Sequence, residues 1–158
     1  MRSTPCGSIR EQGFSNVALA NQTTNHASGG VRVRRGVIGI LLRGEEMLLI
    51  RRAQGVAKGG FWCFPGGHVE RGETPRQAVR RELLEELGIE VAPVRRLGSV
   101  RVLDSRHVLA VWEIEHIGGE FRPAEHEIAD LCWMNSILVR GLQAGLPSNE
   151  QVLRLLGW

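Results

Sequence analysis

The chain has 158 residues, 42% of them hydrophobic and 23% charged, which suits one globular domain with a substantial core. Its net charge of +3 comes almost wholly from arginine, Lys58 being the sole lysine. No basic run interleaved with aromatics points to a nucleic acid polymer, and no apolar run reaches membrane length. The three scattered cysteines lack the spacing of a zinc site or a disulfide framework.

Taken in chain order, residues 1–30 are rich in Ser, Thr, Asn, Gln and Gly and show no periodicity. They read as a flexible N-terminal tail or as the product of a misassigned start, with the folded domain over 31–158. Apolar and β-branched residues predict a strand over 32–42, a turn at Gly44-Glu45-Glu46 and a second strand over 47–52. Residues 53–60 carry three glycines and read as a loop. A short strand over 61–64 then leads into the turn Pro65-Gly66-Gly67. Thr74 is a good N-cap, Pro75 fits the first helical position and Gln77 completes a capping box, so a helix is predicted over 75–87 with Gly88 as its left-handed terminator. Val79, Leu83 and Leu87 give that helix an apolar stripe, expected roughly opposite its acids. Further strands are predicted over 90–102 (interrupted), 107–115 and 131–134, and helices over 136–144 and 149–156. Neither a repeat nor a second domain is evident. The alternation predicts an α/β fold, a mixed sheet with helices on both faces.

The chemistry concentrates in that first helix. Glu82, Glu85 and Glu86 stand at i, i+3 and i+4, a spacing that crowds three carboxylates into a single stripe on one helix face. Like charges so placed repel, and a divalent cation turns the repulsion into a binding site. Hard oxygen ligands suit Mg²⁺ or Mn²⁺, which commonly share their coordination with substrate phosphates. The plain alternative is a solvated acidic face.

The surroundings decide between them. Gly67, Glu73, Arg81, Glu82, Leu83, Glu85, Glu86, Gly88 and Ile89 fill every fixed position of the Nudix box: Gly, five residues, Glu, seven residues, Arg-Glu, an aliphatic, any residue, Glu-Glu, any residue, Gly, an aliphatic. Seven fixed identities would coincide by chance on the order of once in 10⁸ windows. The chain therefore resembles the Nudix hydrolases, which cleave nucleoside diphosphates linked to a further group. That resemblance implies an α/β/α sandwich around a mixed sheet. Glu82, Glu85 and Glu86 would be metal ligands, joined by the Gly67 carbonyl. Glu73 and Arg81 would orient those carboxylates. The general base would be Glu82 or, as second choice, Glu73.

The likeness narrows around the box. The segment from Arg51 to Gly67 and the later Leu146-Pro147-Ser148-Asn149-Glu150 resemble bacterial MutT-type 8-oxo-dGTP diphosphatases. By that resemblance Arg52 contacts a substrate phosphate, although an exposed strand-end arginine would look the same. Arg106, in an Asp104-Ser105-Arg106-His107 segment with one residue inserted, would approach the purine. Asn149 would read the base through its amide, or else cap the last helix. Phe64 would pack beside the nucleobase or fill core. Glu127, with Glu125 as fallback, would supplement the metal site from a loop. Cys63 replaces a carboxylate found in the nearest relatives. His68 and His107 read as lone structural histidines.

The expected activity is thus metal-dependent hydrolysis of a small nucleotide, a nucleoside triphosphate with 8-oxo-dGTP as a candidate, to monophosphate and pyrophosphate in the cytoplasm. No membrane and no nucleic acid polymer are expected as partners. The alternatives are another nucleoside diphosphate derivative, such as ADP-ribose or a nucleotide sugar, and a catalytically silent nucleotide-binding regulator. Marks of other subclasses are missing: the chain has no tyrosine and no SQPWPFPxS string, and Asp104 stands where ADP-ribose enzymes place a proline.

Overall fold

A computed structural model describes residues 33–102 and 105–158. The readings made on residues 1–30 and on Asp104 lie outside the described residues. The chain runs β1 (Arg34–Arg43), β2 (Glu46–Arg52), β3 (Trp62–Cys63), α1 (Pro75–Leu87), β4 (Ile89–Arg101), β5 (His107–Gly119), β6 (Ile128–Met134), α2 (Ser136–Arg140) and α3 (Ser148–Leu156).

The sheet order is β3-β2-β1-β5-β4, with β6 on the other edge of β2. β1 and β5 are parallel over eight pairs from Arg34↔His107 to Leu41↔Ile114, and the other pairings are antiparallel. β1 and β2 pair only near their turn, at Leu42↔Met47 and Arg43↔Glu46. Beyond it the strands part, and the segment after β3 fills the wedge. The Val37 N–H donates to the Gly67 carbonyl (2.8 Å), Gly39 N–H to Pro65 (3.0 Å) and Val69 N–H to Arg35 (2.9 Å). This lacing seats the glycine turn against β1 and aims the start of α1 across the sheet.

One face of the sheet packs with Val79, Leu83 and Leu87 of α1. The other packs with Val139 of α2 and Val152 and Leu153 of α3. That is the α/β/α sandwich, and the Thr74 capping box and the left-handed Gly88 cap (φ 71°) bound α1 as the sequence predicts. Gly39 lets α1 sit close: an added Cβ would lie 2.9 Å from Leu83 Cδ2 and 2.9 Å from Ile114 Cδ1. Gly39→Ala should therefore overpack the core and cost about 1–3 kcal/mol in urea denaturation. An unchanged midpoint would show that α1 is loosely seated.

Three predicted bounds move. The strands begun at His107 and Leu131 extend to Gly119 and back to Ile128. The helix predicted over 136–144 stops at Arg140, because the following backbone serves β3 instead. Ala144 accepts the Trp62 N–H (2.7 Å) and the Leu146 N–H donates to the Trp62 carbonyl (3.0 Å). Among the described residues no helix is long and apolar enough to cross a membrane.

Candidate active site

The box carboxylates line one flank of α1, but not as a uniform stripe. At about 100° per residue, Glu86 lies only about 60° from Leu83 on the helix wheel, whereas Glu85 is nearly opposite. Glu86 is accordingly buried at 5% exposure and Glu85 is exposed, which corrects the expectation that the acids sit opposite the apolar stripe. The Glu86 carboxylate accepts the Gly66 N–H at 2.8 Å. Gly66 is required there: its φ is 141°, and a Cβ would collide with the Val37 carbonyl oxygen.

Burial pushes the Glu86 carboxyl up to about 8. The Gly66 N–H and Arg52 oppose that rise, and the charges of Glu82 and Glu127 reinforce it. Burial likewise raises Glu82, against the pull of Arg81. Arg81 is the hub. Its Nε and Nη2 grip both oxygens of Glu73 (3.0 and 2.9 Å), and its Nη1 reaches Glu82 (3.0 Å) and Glu85 (2.9 Å). Its Nη2 also donates to the His68 carbonyl (2.9 Å). Glu73 is held below the usual carboxylate range, first by Arg81, and accepts the Glu70 N–H as well.

Among the described residues no three metal-capable side chains already converge. Arg81 divides Glu82 from Glu85, while Glu86 is turned to Gly66. The donor set nevertheless fits a hard divalent cation. Glu86 feels the charges of both Glu82 and Glu127, and burial, the first cause of the rise at Glu82 and Glu86, leaves both carboxylates poorly solvated without a cation. Gly67, with no side chain, leaves room beside the Glu82 carboxylate, which an added Cβ would meet at 2.5 Å. The Gly67 carbonyl already accepts the Val37 N–H, so it has one lone pair to offer a cation.

Arg52 lies next to this cluster. Its Nε donates to the Ala57 carbonyl (2.7 Å), and it faces both Glu86 and the buried Cys63 thiol. Burial drives that thiol up to about 11, so Cys63 is neutral at pH 7. Glu127 stands immediately before β6, where its carbonyl accepts the Ala53 N–H (2.8 Å) just past the irregular end of the β2–β6 pairing.

The base-reading candidates divide. Asn149 does not cap α3, whose N-cap is Pro147. It is 4% exposed, its Nδ2 donates to the Trp62 carbonyl (3.0 Å), and its Oδ1 is buried without a partner. Phe64, 4% exposed, belongs to the core cluster on the α3 side, a core residue rather than an open platform for a base. Arg106 is exposed immediately before β5, where its carbonyl accepts the Arg34 N–H (2.9 Å). His68 and His107 are not lone: their rings meet edge-on at 5.5 Å. No local spacing could have foretold that pair, because β1 stands between the two residues.

Comparison with known proteins agrees with this geometry. The NUDIX domain model matches residues 32–156. A Mycobacterium tuberculosis protein provisionally named 8-oxo-dGTP diphosphatase 2 is 38% identical over 103 residues, 63% of this chain and 72% of that one. The Pseudomonas aeruginosa NAD-capped RNA hydrolase NudC is 35% identical over 104 residues, 66% of this chain and only 37% of its own length. Among solved structures, a MutT NUDIX hydrolase from Burkholderia pseudomallei superposes with a TM-score of 0.66 and 28% identity, covering 77% of this chain and 96% of that one. With the box intact and the fold in register, the chain belongs to the Nudix family of pyrophosphohydrolases.

Proposed function

We propose that this protein hydrolyses a nucleoside triphosphate, with 8-oxo-dGTP as the preferred substrate, to the monophosphate and pyrophosphate in the cytoplasm. Magnesium or manganese would be held by Glu82, Glu85 and Glu86, with Glu127 and the Gly67 carbonyl completing the set. The observation that carries the reading is the buried Glu86 carboxylate, held by the Gly66 N–H at 2.8 Å with Glu82, Glu127 and Arg52 around it. Such a cluster is costly unless a cation neutralises it, and a bound divalent cation keeps coordination sites for phosphate oxygens.

When bound, the cation would neutralise phosphate oxygens and make water more acidic. The protein's own part is positioning and proton transfer. Arg81 holds the carboxylates apart and fixed, and Arg52 offers a guanidinium to a phosphoryl oxygen. Glu82 is the better base. Its carboxyl is raised by burial, whereas both oxygens of Glu73 are engaged by Arg81 and that carboxyl is lowered.

The preference for an oxidised purine draws support from Asn149. With Nδ2 engaged by Trp62, Oδ1 can only accept, so the amide asks for a donor on the base edge. The named activity of the Mycobacterium tuberculosis relative points the same way. Hydrolysis in ¹⁸O-water tests the reaction: label should appear in pyrophosphate, from attack at the β-phosphorus. Label in the monophosphate, or release of orthophosphate, would refute it.

A further inference from the structure

The sheet face under α1 is not wholly covered by it. Paired residues of neighbouring strands share a face, and residues two apart along a strand return to it. Val37, Ala110 and Trp112 pack with the α1-side core. The pairings of Arg35 and Arg101 with Val108, of Ser99 with Ala110 and of Arg96 with Trp112 therefore set three arginines and a serine on that same face. There it opens into a cavity of about 450 Å³, lined by Arg35, Arg96, Ser99, Val108, Ala110 and Trp112. None of the box residues lines it, and among the described residues no carboxylate does.

Little offsets the charge gathered here. Among the described residues the guanidiniums of Arg35 and Arg101 have no acceptor, and Arg96 donates from Nη2 to the Ser99 hydroxyl (2.7 Å). Pro75 also lines the cavity and opens α1, whose first turn carries Arg76 and no acid. The positive end of that helix thus goes uncompensated on this side. Trp112 supplies a wall with a donor in excess, since its Nε1 is buried without an acceptor among the described residues.

Positive charge and unmet donors above a floor of Val108 and Ala110 describe a receptor for an anion. Arg35 and Arg96 stand on β1 and β4 with β5 between them, and their β5 partners, Val108 and Trp112, are four residues apart. The two guanidiniums thus reach the cavity from opposite corners, which suits an anion with two charged ends. Arginine forks match phosphate and carboxylate oxygens alike, but a diphosphate carries more charge across the span than a dicarboxylate.

We propose that this cavity is a second binding site, distinct from the carboxylate centre, that takes a diphosphate group between Arg35 and Arg96 with Arg101 beside them. The group comes from free pyrophosphate or from a nucleotide. The site stands whichever nucleotide the box carboxylates act on.

The test is a titration of metal-free protein with inorganic pyrophosphate, since without a cation the box carboxylates repel the same anion. Calorimetry should show one site, and the Trp112 indole N–H, assigned with Trp112→Phe, should shift in ¹H–¹⁵N spectra. Arg35→Gln combined with Arg96→Gln should weaken binding roughly tenfold to a hundredfold, with the melting temperature and Mg²⁺-dependent hydrolysis unchanged. Arg122→Gln combined with Arg154→Gln removes the same charge elsewhere and should leave the affinity within about twofold. Orthophosphate and succinate at equal ionic strength should bind roughly tenfold more weakly. ADP above pyrophosphate in affinity would make the ligand a nucleotide, and the reverse order would make it free pyrophosphate.

An unmoved indole signal, succinate binding as tightly as pyrophosphate, or equal losses in the two double variants would overturn the site. Should the first double variant not fold, Arg35→Gln alone and the wild-type indole signal still decide.

Discussion

Glu86→Gln should cut turnover by orders of magnitude and yet raise the melting temperature of the metal-free protein above pH 8. Both effects follow from one buried carboxyl. Glu86 is pushed up to about 8, first by burial and then by the charges of Glu82 and Glu127. The folded state therefore binds its proton more tightly than the unfolded chain does. That advantage is complete below the ordinary glutamate range and is lost as pH rises through about 8. A glutamine keeps an oxygen for the Gly66 N–H at the same place but carries no charge to desolvate. The gap in melting temperature between variant and wild type should be small near pH 5 and grow to several degrees by pH 9, in the presence of chelator.

Divalent cations reverse the comparison. Their binding requires the ionised carboxylate, so wild-type affinity for Mg²⁺ should rise with pH up to about 8, and the glutamine variant should lack that rise. Turnover falls because a ligand charge is gone while the fold stands. Activity within tenfold of wild type would remove Glu86 from the metal site. A melting gap independent of pH would show that the carboxyl is not desolvated as the structure has it.

What could be read from the sequence was local in origin. Thr74, Pro75, Gln77 and Gly88 are adjacent instructions for one helix, and they bound α1 as predicted. Glu73 and Arg81 form the pair that the box spacing implies, with both carboxylate oxygens engaged. The burial of Glu86 was less accessible. A three-residue apolar stripe gives the direction of a helix face but not its width, and the Gly66 turn that covers Glu86 is twenty residues away. The long-range pairings were invisible for the same reason. Nothing near Gly36 announces that its partners are His68 and Leu109, or that a missing side chain there lets two histidines touch. For Asn149 the sequence left base reading and helix capping open, and the structure removes the cap, since Pro147 holds that position. The actual partner of Asn149, the Trp62 carbonyl, lies 87 residues earlier in the chain.

That partner gives the base-reading prediction its force. Asn149→Ala should reduce the preference for 8-oxo-dGTP over dGTP by roughly tenfold to a hundredfold, the worth of about 1–3 kcal/mol for a lost base-edge contact. Stability should hardly change, because two opposing terms go together. The variant loses one buried hydrogen bond to Trp62 and also removes a buried oxygen that has no partner, each about 1–2 kcal/mol. A helix cap would behave in the opposite way, losing about 1 kcal/mol of stability and no discrimination. The direction of the preference follows from proton positions. Asn149 Oδ1 needs a donor, the oxidised purine carries N–H at ring position 7, and the ordinary purine has a lone pair there. An Oδ1 placed against that ring position would thus favour the oxidised base and repel the ordinary one. The decisive measurement pairs the two specificity constants with the melting temperature on this single variant. A preserved ratio in a stable protein would take Asn149 out of the site. A wild type indifferent to oxidation would show that its unpaired oxygen awaits some other donor.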